Sequence, residues 1–267
     1  MVFEYEIKSP TDIKSFLLEN GFSLRSVNKL FSTKSVYVNG KRYDGDYNLK
    51  IGDKLKAVFD EDSSVKPVDK PIDIVFEDEY FLVVNKPKGL ITAPSKRHYE
   101  DSLAGRVFNY LLKGENKSGV HAVNRLDLDT CGLVVFAKSG HVHKLASETE
   151  ITKKYRFTVS GILDKKQGVI DKNIQRIEGS VKRCVSENGK SAITKYKVIG
   201  ENGNTSVIEA ELITGRTHQI RVHFASIGHP LMGDKLYGDG KGEFDLCSFF
   251  ISFVYPFNKK EYFFAIK

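Results

Sequence analysis

The 267-residue chain has no tryptophan, two methionines and only three cysteines. Cys131, Cys184 and Cys247 stand 53 and 63 positions apart, an odd number without CxxC spacing. That excludes a disulfide framework and a cysteine-based zinc site, and it fits a reducing compartment, the cytoplasm. Long hydrophobic runs are missing as well. None approaches the roughly 18 apolar residues of a membrane span, and MVFEYEIK at the N-terminus lacks the apolar core of a signal peptide. Acidic residues are in the minority, 34 Asp and Glu against 41 Lys and Arg, for a net charge of +7. A basic balance favours an anionic partner, most often nucleic acid. With Trp absent, any base-stacking aromatic must be one of 12 Tyr or 18 Phe. The remaining composition, 40% hydrophobic, is ample for a core; at roughly 100–200 residues per domain it suits one large domain or two unequal ones.

Residues 61–71, EDSSVKPVDKP, are polar, hold two prolines and lack apolar periodicity, so they read as a linker between units at 1–60 and 72–267. In the first unit Thr11 is placed to cap a helix in which Ile13, Phe16 and Leu17 form an apolar stripe, with Gly21 at its stop. A second helix from Ser23 repeats the spacing at Val27, Leu30 and Phe31. The period then changes to two in Val36-Tyr37-Val38, and Asn39-Gly40 is a hairpin signal because both turn positions need positive φ. Arg25 and Lys29, four apart, share a helix face. Across residues 11–56 nine Lys/Arg face five Asp/Glu. Taken alone, this cluster is also what a solvated face looks like. The run GFSLRSVNKLFSTKSVYVNGKRYDGDYNLKIGDKL resembles the S-four-type RNA-binding module over residues 11–59. That resemblance implies phosphate contacts for Arg25, Lys29 and Lys41, which position RNA without reading its sequence.

From residue 72 short β-rich runs dominate: Ile72–Phe76, Tyr80–Asn85, Leu133–Ala137, Tyr155–Val159 and Val207–Leu212. Helices are expected near 102–113, near 140–149 behind Ser139, and near 217–228 behind Thr217. Strands do not alternate regularly with helices, so the fold class is α+β with a large, mainly antiparallel sheet.

The chemistry concentrates in two segments. Asn124-Arg125-Leu126-Asp127-Leu128-Asp129-Thr130-Cys131-Gly132 is a polar loop running into an apolar strand, and a carboxylate there is placed either to face a cleft or to brace a turn against its arginine. In Thr214-Gly215-Arg216-Thr217-His218-Gln219-Ile220-Arg221, the arginines fall near the positive end of a helix dipole, where an anion should face them: a carboxylate, a phosphate, or water alone at an exposed arginine.

Residues 72–240 resemble the catalytic domain of the RluA-type pseudouridine synthases. Ile74–Gly89 matches the (I/V)xEDExLLVVNKPxG segment, Asn124–Lys138 the HRLDxxTSGLLLFAK segment, Lys153–Gly161 the KxYxxxVxG segment, and Thr214–Gly238 the TGRTHQIRVHxAxxGHPxxGDxxYG segment. The resemblance implies an RNA pseudouridine synthase acting without cofactor or metal, as a monomer, on ribosomal RNA or else transfer RNA. Asp127 would be the nucleophile and Tyr155 the tyrosine that stacks on the flipped base. Arg221 would be the basic residue that salt-bridges the nucleophile. Arg125 would fill the gap left by the flipped base, with Arg216 and Ile220 also binding substrate.

The chain departs from the family pattern at Asn124 (usually His), Cys131 (usually Ser) and Ala93-Pro94 (often His-Pro). Cys131 is read as a small packed residue, since no base is placed by sequence to activate it. His141 and His143, two apart on a helix, face apart and are expected in solvent rather than on a metal. His218, His223 and His229 are read as scaffold. Two alternatives from other classes are a non-catalytic RNA-binding protein with the same two domains, which gives no reason to keep Asp127, Tyr155 and Arg221 together, and a zinc base deaminase, which lacks the ligands.

Overall fold

Phe3, Tyr5 and Ile7 alternate with polar neighbours, and that alternation makes Val2–Glu6 a strand, β1, a signal overlooked in the sequence. The computed structural model describes residues 1–59, 65–94, 100–114 and 119–267. β2 (Thr11–Asp12) precedes helix α1 (Ile13–Glu19). The cap is Asp12 rather than the expected Thr11, because its carboxylate accepts the Ser15 N–H at 2.7 Å and adds negative charge at a helix start. Helix α2 (Leu24–Ser32) starts at Ser23, buries Val27 and Leu30, and leaves Arg25 and Lys29 exposed. β3 (Val36–Val38) and β4 (Lys41–Tyr43) form the expected hairpin, with Asn39 and Gly40 at φ 50° and 80°. β5 (Asn48–Leu49) pairs with β2, and β6 (Lys54–Val58) completes a four-stranded sheet in the order β1-β6-β3-β4.

The first four residues of the expected linker, 61–64, lie outside the described residues. The rest does not hang free. Val68 donates its N–H to Gly105 O, and Lys70 pairs with Asp101 at 2.6 Å, both against helix α3 (Leu103–Leu112) and its entry.

The larger unit contains β7 (Asp73–Glu77), β8 (Phe81–Lys86), β9 (His121–Ala122), β10 (Cys131–Ala137), helix α4 (Gly140–Ser147), β11 (Ile151–Ser160) and β12 (Gln167–Asp171). A separate hairpin, β13 (Ile174–Arg176) with β14 (Arg183–Val185), follows, then β15 (Ile193–Asn202), β16 (Thr205–Leu212), helix α5 (Gln219–Ser226), β17 (Cys247–Val254) and β18 (Glu261–Ala265). The main path is β12-β15-β16-β11-β17-β10-β8-β7, with β18 added to β17 and β9 to β10. Every neighbouring pair is antiparallel except β10 with β17. The expected α+β class with a mainly antiparallel sheet therefore holds.

The central strands are buried on both faces, so their period of two sorts side chains between two cores. Phe81, Val83, Leu133, Val135 and Ala137 face one way, where they pack with the N-terminal unit through Phe3, Phe22, Leu17 and Phe59. Leu82, Val84, Val134 and Phe136 face the other way, against α3, α5 and β11. His141 is the joint between the two units. Its ring stacks on Phe22 at 3.6 Å and meets Phe3 edge-on at 4.9 Å. The expectation of solvent-exposed His141 and His143 is thus corrected: α4 turns His141 into this interface, and His143 is half-buried with Nε2 3.2 Å from Ala122 O.

The parallel contact depends on one glycine. Gly132 has φ 112°, and a Cβ there would lie 2.2 Å from Ser248 O. Gly132→Ala should therefore destabilise the protein by at least about 3 kcal/mol, the top of the ~1–3 kcal/mol range of backbone strain alone. Gly203→Ala, at φ 55° with open space around it, should lose only about 1 kcal/mol. Urea unfolding of both variants checks the difference; equal losses would contradict the close approach.

Candidate active site

The loop between β9 and β10 is held by its own polar side chains. Asn124 Oδ1 accepts the Val135 N–H at 2.8 Å and Nδ2 donates to Leu133 O at 3.0 Å, tying the loop start to β10. Thr92 clamps Leu126 from both sides, its hydroxyl accepting Leu126 N–H at 3.0 Å and donating to Leu126 O at 2.9 Å. On the other side of Asp127, Leu128 O accepts from Gly89 N and from Lys86 Nζ, both at 3.0 Å. Asp127 is thus bracketed by two fixed residues while its carboxylate projects into a cleft of about 580 Å³.

Lys86 is fully buried, and its ammonium also donates to Leu90 O at 2.6 Å and Pro87 O at 3.0 Å. Burial pushes it down to about 8, with Cys131, Asp127 and Asp129 pulling it back toward the charged form. Cys131, at the end of the loop, is half-buried beside Cys247. Hydrogen bonding with Cys247 and the charges of Lys88 and Lys86 hold its thiol down to about 6 against burial, while Cys247 is pushed up.

The other cleft walls come from β11 and the start of α5. Tyr155 sits on β11 next to a register shift against β17, 6% exposed, and burial raises its phenol well above the ordinary value near 10, aided by the Asp127 charge. Lys153, on the same strand, also lines the cleft and is lowered by burial. Helix α5 does not use the expected Thr217 cap. Gln219 loops back instead, its Oε1 accepting from Arg216 N and Thr214 Oγ1 at 2.9 Å each, and the cap position falls to His218 in a left-handed conformation, φ 58°. Arg125, Arg216, Ile220 and Arg221 all line the same cleft as Asp127 and Tyr155. Arg25, Lys29 and Lys41 do not; they lie exposed on the N-terminal unit, which covers the opposite face of the sheet.

One expectation is corrected here. Arg221 is not salt-bridged to Asp127. Its Nε and Nη2 each bond an oxygen of Asp234 at 2.7 Å, and the guanidinium lies over the rings of Tyr237 and Phe244, 5.1 and 5.3 Å away. The bidentate match of a planar fork to a carboxylate, inside aromatic walls, outcompetes a single partner across an open cleft. The ionisable group that does approach Asp127 is His218, with Nε2 3.9 Å from Oδ2. Among the described residues no group of three or more His, Cys, Asp or Glu is placed to hold a metal ion.

The family model described as RNA pseudouridylate synthase matches residues 80–226, the stretch that carries Asp127, Tyr155 and Arg221. The chain belongs to that family. It is 33% identical over 262 residues, 93% of this chain and 92% of the other, to the uncharacterized RNA pseudouridine synthase YjbO of Bacillus subtilis. It is 41% identical over 191 residues to ribosomal large subunit pseudouridine synthase D of Zymomonas mobilis, covering 66% of this chain and 59% of that one. The solved structure of human RNA pseudouridylate synthase domain containing 1 matches with TM-score 0.61 at 23% identity, over 74% of this chain and 83% of that one, and shares the fold.

In this pseudouridine synthase the unusual Asn124 has a clear role, because its amide bonds both a carbonyl and an N–H of β10, as described above. His218 was missed by sequence reasoning, which treated it as scaffold. His223 does behave that way, bonded to Thr194 Oγ1 and Lys172 O at 2.9 Å. The signal for His218 is geometric and has no local sequence pattern.

The Arg221–Asp234 pair also makes a stability prediction. Burial alone would raise the Asp234 carboxyl, but Arg221 and the N–H groups of Leu236 and Tyr237 outweigh it and hold it below 3.8. The folded state therefore binds fewer protons than the unfolded state between the lowered value and about 3.8. The stabilisation is complete above that window and is lost as the pH falls through it. Asp234→Asn should be less stable at pH 7 by about 3 kcal/mol, as for other broken buried pairs, and the gap should narrow below pH 4. Urea unfolding at pH 7 and pH 3 checks this; a gap that does not change with pH would contradict it.

Proposed function

We propose that this synthase isomerises uridines in structured ribosomal RNA, with Asp127 as the nucleophile. The observation that carries the reading is the Asp127 carboxylate, held between two pinned residues in a cleft walled by Tyr155, Arg125, Arg216 and Ile220. The ribosomal target follows the name of the Zymomonas mobilis relative; transfer RNA is the other substrate class.

The chemistry exchanges a base–sugar C–N bond for a C–C bond in one nucleotide. The atoms lost and gained balance within the substrate, apart from a proton that leaves C5 and one that is taken up by N1. A base inside a stack is out of reach, so the nucleotide must be extruded at a cost of a few kcal/mol. A carboxylate can then attack the anomeric carbon, attack the base ring, or remove a sugar proton, and each route needs Asp127 as the anion. Tyr155 stays protonated, so its ring offers a flat apolar face for the extruded base. Arg125, exposed on the rim, is placed to occupy the gap in the stack. Arg221, locked to Asp234, shapes the wall of the cleft.

A second groove of about 410 Å³ adjoins the cleft at Gly215, Arg216 and Thr217 and is lined by Arg176, Arg183 and Lys190. Four cations along one continuous path suit the phosphates that flank a target nucleotide. In our reading residues 1–60 form an S-four-type RNA-binding domain, 61–71 the linker and 72–267 the catalytic domain. Arg25, Lys29 and Lys41 then add phosphate contacts away from the cleft. In the same reading the protein acts as a monomer in the cytoplasm.

Incubation of unmodified ribosomal RNA transcripts with the purified protein, read by pseudouridine mapping, tests the activity. Asp127→Asn is nearly isosteric but a poor nucleophile, so it should bind RNA normally and convert none. A rate above a tenth of wild type would contradict the assignment. Arg25→Glu combined with Lys29→Glu should leave the fold intact and lower the slope of log affinity against log salt by roughly 1.4, two contacts at about 0.7 each. An unchanged slope would remove the RNA-binding role of α2.

A further inference from the structure

We propose that His218 is a positioning residue for the nucleophile: it presents Nε2–H to Asp127 Oδ2, with its tautomer set by Tyr237. The proposal rests on the reading of Asp127 above. Three independent features of the molecule point to it.

The first is the backbone. His218 is one of four non-glycine residues described with positive φ, and it occupies the cap position of α5 with no side-chain capping bond to the helix. Such conformations are disfavoured and persist where surrounding structure imposes them. Here Gln219 imposes it. The amide bonds Arg216 N and Thr214 Oγ1 on one side, and Ile193 O and Thr194 Oγ1 on the other, at 2.9–3.1 Å. With the chain pinned there, the imidazole turns away from the helix end and into the cleft.

The second is hydrogen-bond accounting. Tyr237 OH accepts the backbone N–H of Arg183 at 2.8 Å and lies 2.8 Å from His218 Nδ1. The phenol has one proton. The arrangement that satisfies all three groups has the phenol accepting from Arg183 N and donating its proton to Nδ1, and in our proposal the neutral ring therefore carries its hydrogen on Nε2. Nε2 is the nitrogen facing Asp127 Oδ2, at 3.9 Å. A movement of about 1 Å closes this to a hydrogen bond, the kind of gap that substrate binding closes in catalytic sites. Oδ2 is then held, and Oδ1 is left as the oxygen that reacts.

The third is the unavailability of the alternative. Arg221 is committed to Asp234, whose buried carboxylate also accepts from Leu236 N and Tyr237 N. Turning Arg221 toward Asp127 would strand that carboxylate without its counter-charge. Burial, with Arg221 and Arg183, lowers His218 below its ordinary value, while Asp127 and Asp234 oppose the shift. The ring stays neutral at pH 7, and its contribution is directional rather than a second positive charge.

The test uses full-length protein and an RNA that wild type converts, under single-turnover conditions at saturating enzyme. His218→Asn tolerates positive φ and can still accept from Tyr237 but cannot reach Asp127. Its rate should fall at least tenfold, with RNA affinity and melting temperature close to wild type. His218→Gln extends an N–H to the Nε2 position and should recover at least threefold of that loss. Tyr237→Phe leaves the backbone of His218 untouched and should lower the rate at least threefold. The double variant His218→Asn with Tyr237→Phe should be no slower than His218→Asn alone, because both act through one group. Imidazole nitrogen resonances of the free wild-type protein should show Nε2 protonated and Nδ1 bare. A wild-type rate in His218→Asn overturns the proposal, as does a protonated Nδ1, or rate losses that track lost stability or RNA affinity. If His218→Asn does not fold, Tyr237→Phe at the wild-type rate overturns it alone. No conversion of any RNA by wild type would instead overturn the functional reading and this proposal with it; conversion by wild type with an unaffected His218→Asn rejects the proposal only.

Discussion

The loop that carries Asp127 is held in place by a lysine with no access to water. The ammonium of Lys86 gathers carbonyls from Pro87 and Leu90 just after it and from Leu128, 42 residues further along the chain. A buried charge is tolerated when its donors are satisfied, and here three oxygens satisfy it. The same bonds fix Leu128 beside Asp127, while Thr92 fixes Leu126 on the other side. Without the bracket, the carboxylate would sample many rotamers and backbone positions. A misplacement of about 1 Å in a reacting group is enough to lose a hundredfold in rate.

The sheet makes this bracket possible by having its central strands covered on both faces. Alternate residues of β8 and β10 pack on opposite sides, and each side is covered by a different part of the chain. The N-terminal unit is therefore more than an appended module. Phe22 and Phe3 close over His141 and share a core with Phe81, Leu133 and Phe253. Removing that unit would uncover apolar surface on the very strands that carry the active-site loops, so changes to its exposed charges are the cleaner way to isolate its contribution to RNA binding. Arg25 and Lys29 are on the surface of α2 and do not belong to this shared core.

Much of the site was legible because its residues sit in contiguous motifs. The Asn124–Gly132 loop and the Thr214–Arg221 segment each carry several groups that end in one cleft, and the strands beside them read correctly from their apolar runs. What the sequence left open depends on contacts that no local pattern encodes. Arg221 has a carboxylate partner, one of the three outcomes the dipole argument left open, and which carboxylate it is depends on how residues 230–237 fold back over α5. His218 reads as one more polar residue at a helix start until the Gln219 side chain is seen to pin the turn before it. The strand at Val2–Glu6 was visible as alternation of Phe3, Tyr5 and Ile7, yet its partner β6 lies about 50 residues away. His141 looked like a surface residue because the face that buries it belongs to the other unit.

The central claim is that the Asp127 carboxylate, held in this bracket, modifies uridines in RNA. Its most direct measurement is a transcript-wide pseudouridine map from cells in which Asp127→Asn is the only change, compared with their parent. The account predicts that one uridine or a small set in ribosomal RNA loses its modification completely while all other sites are retained. Two identical maps, with the variant protein present at the parental level, would contradict it.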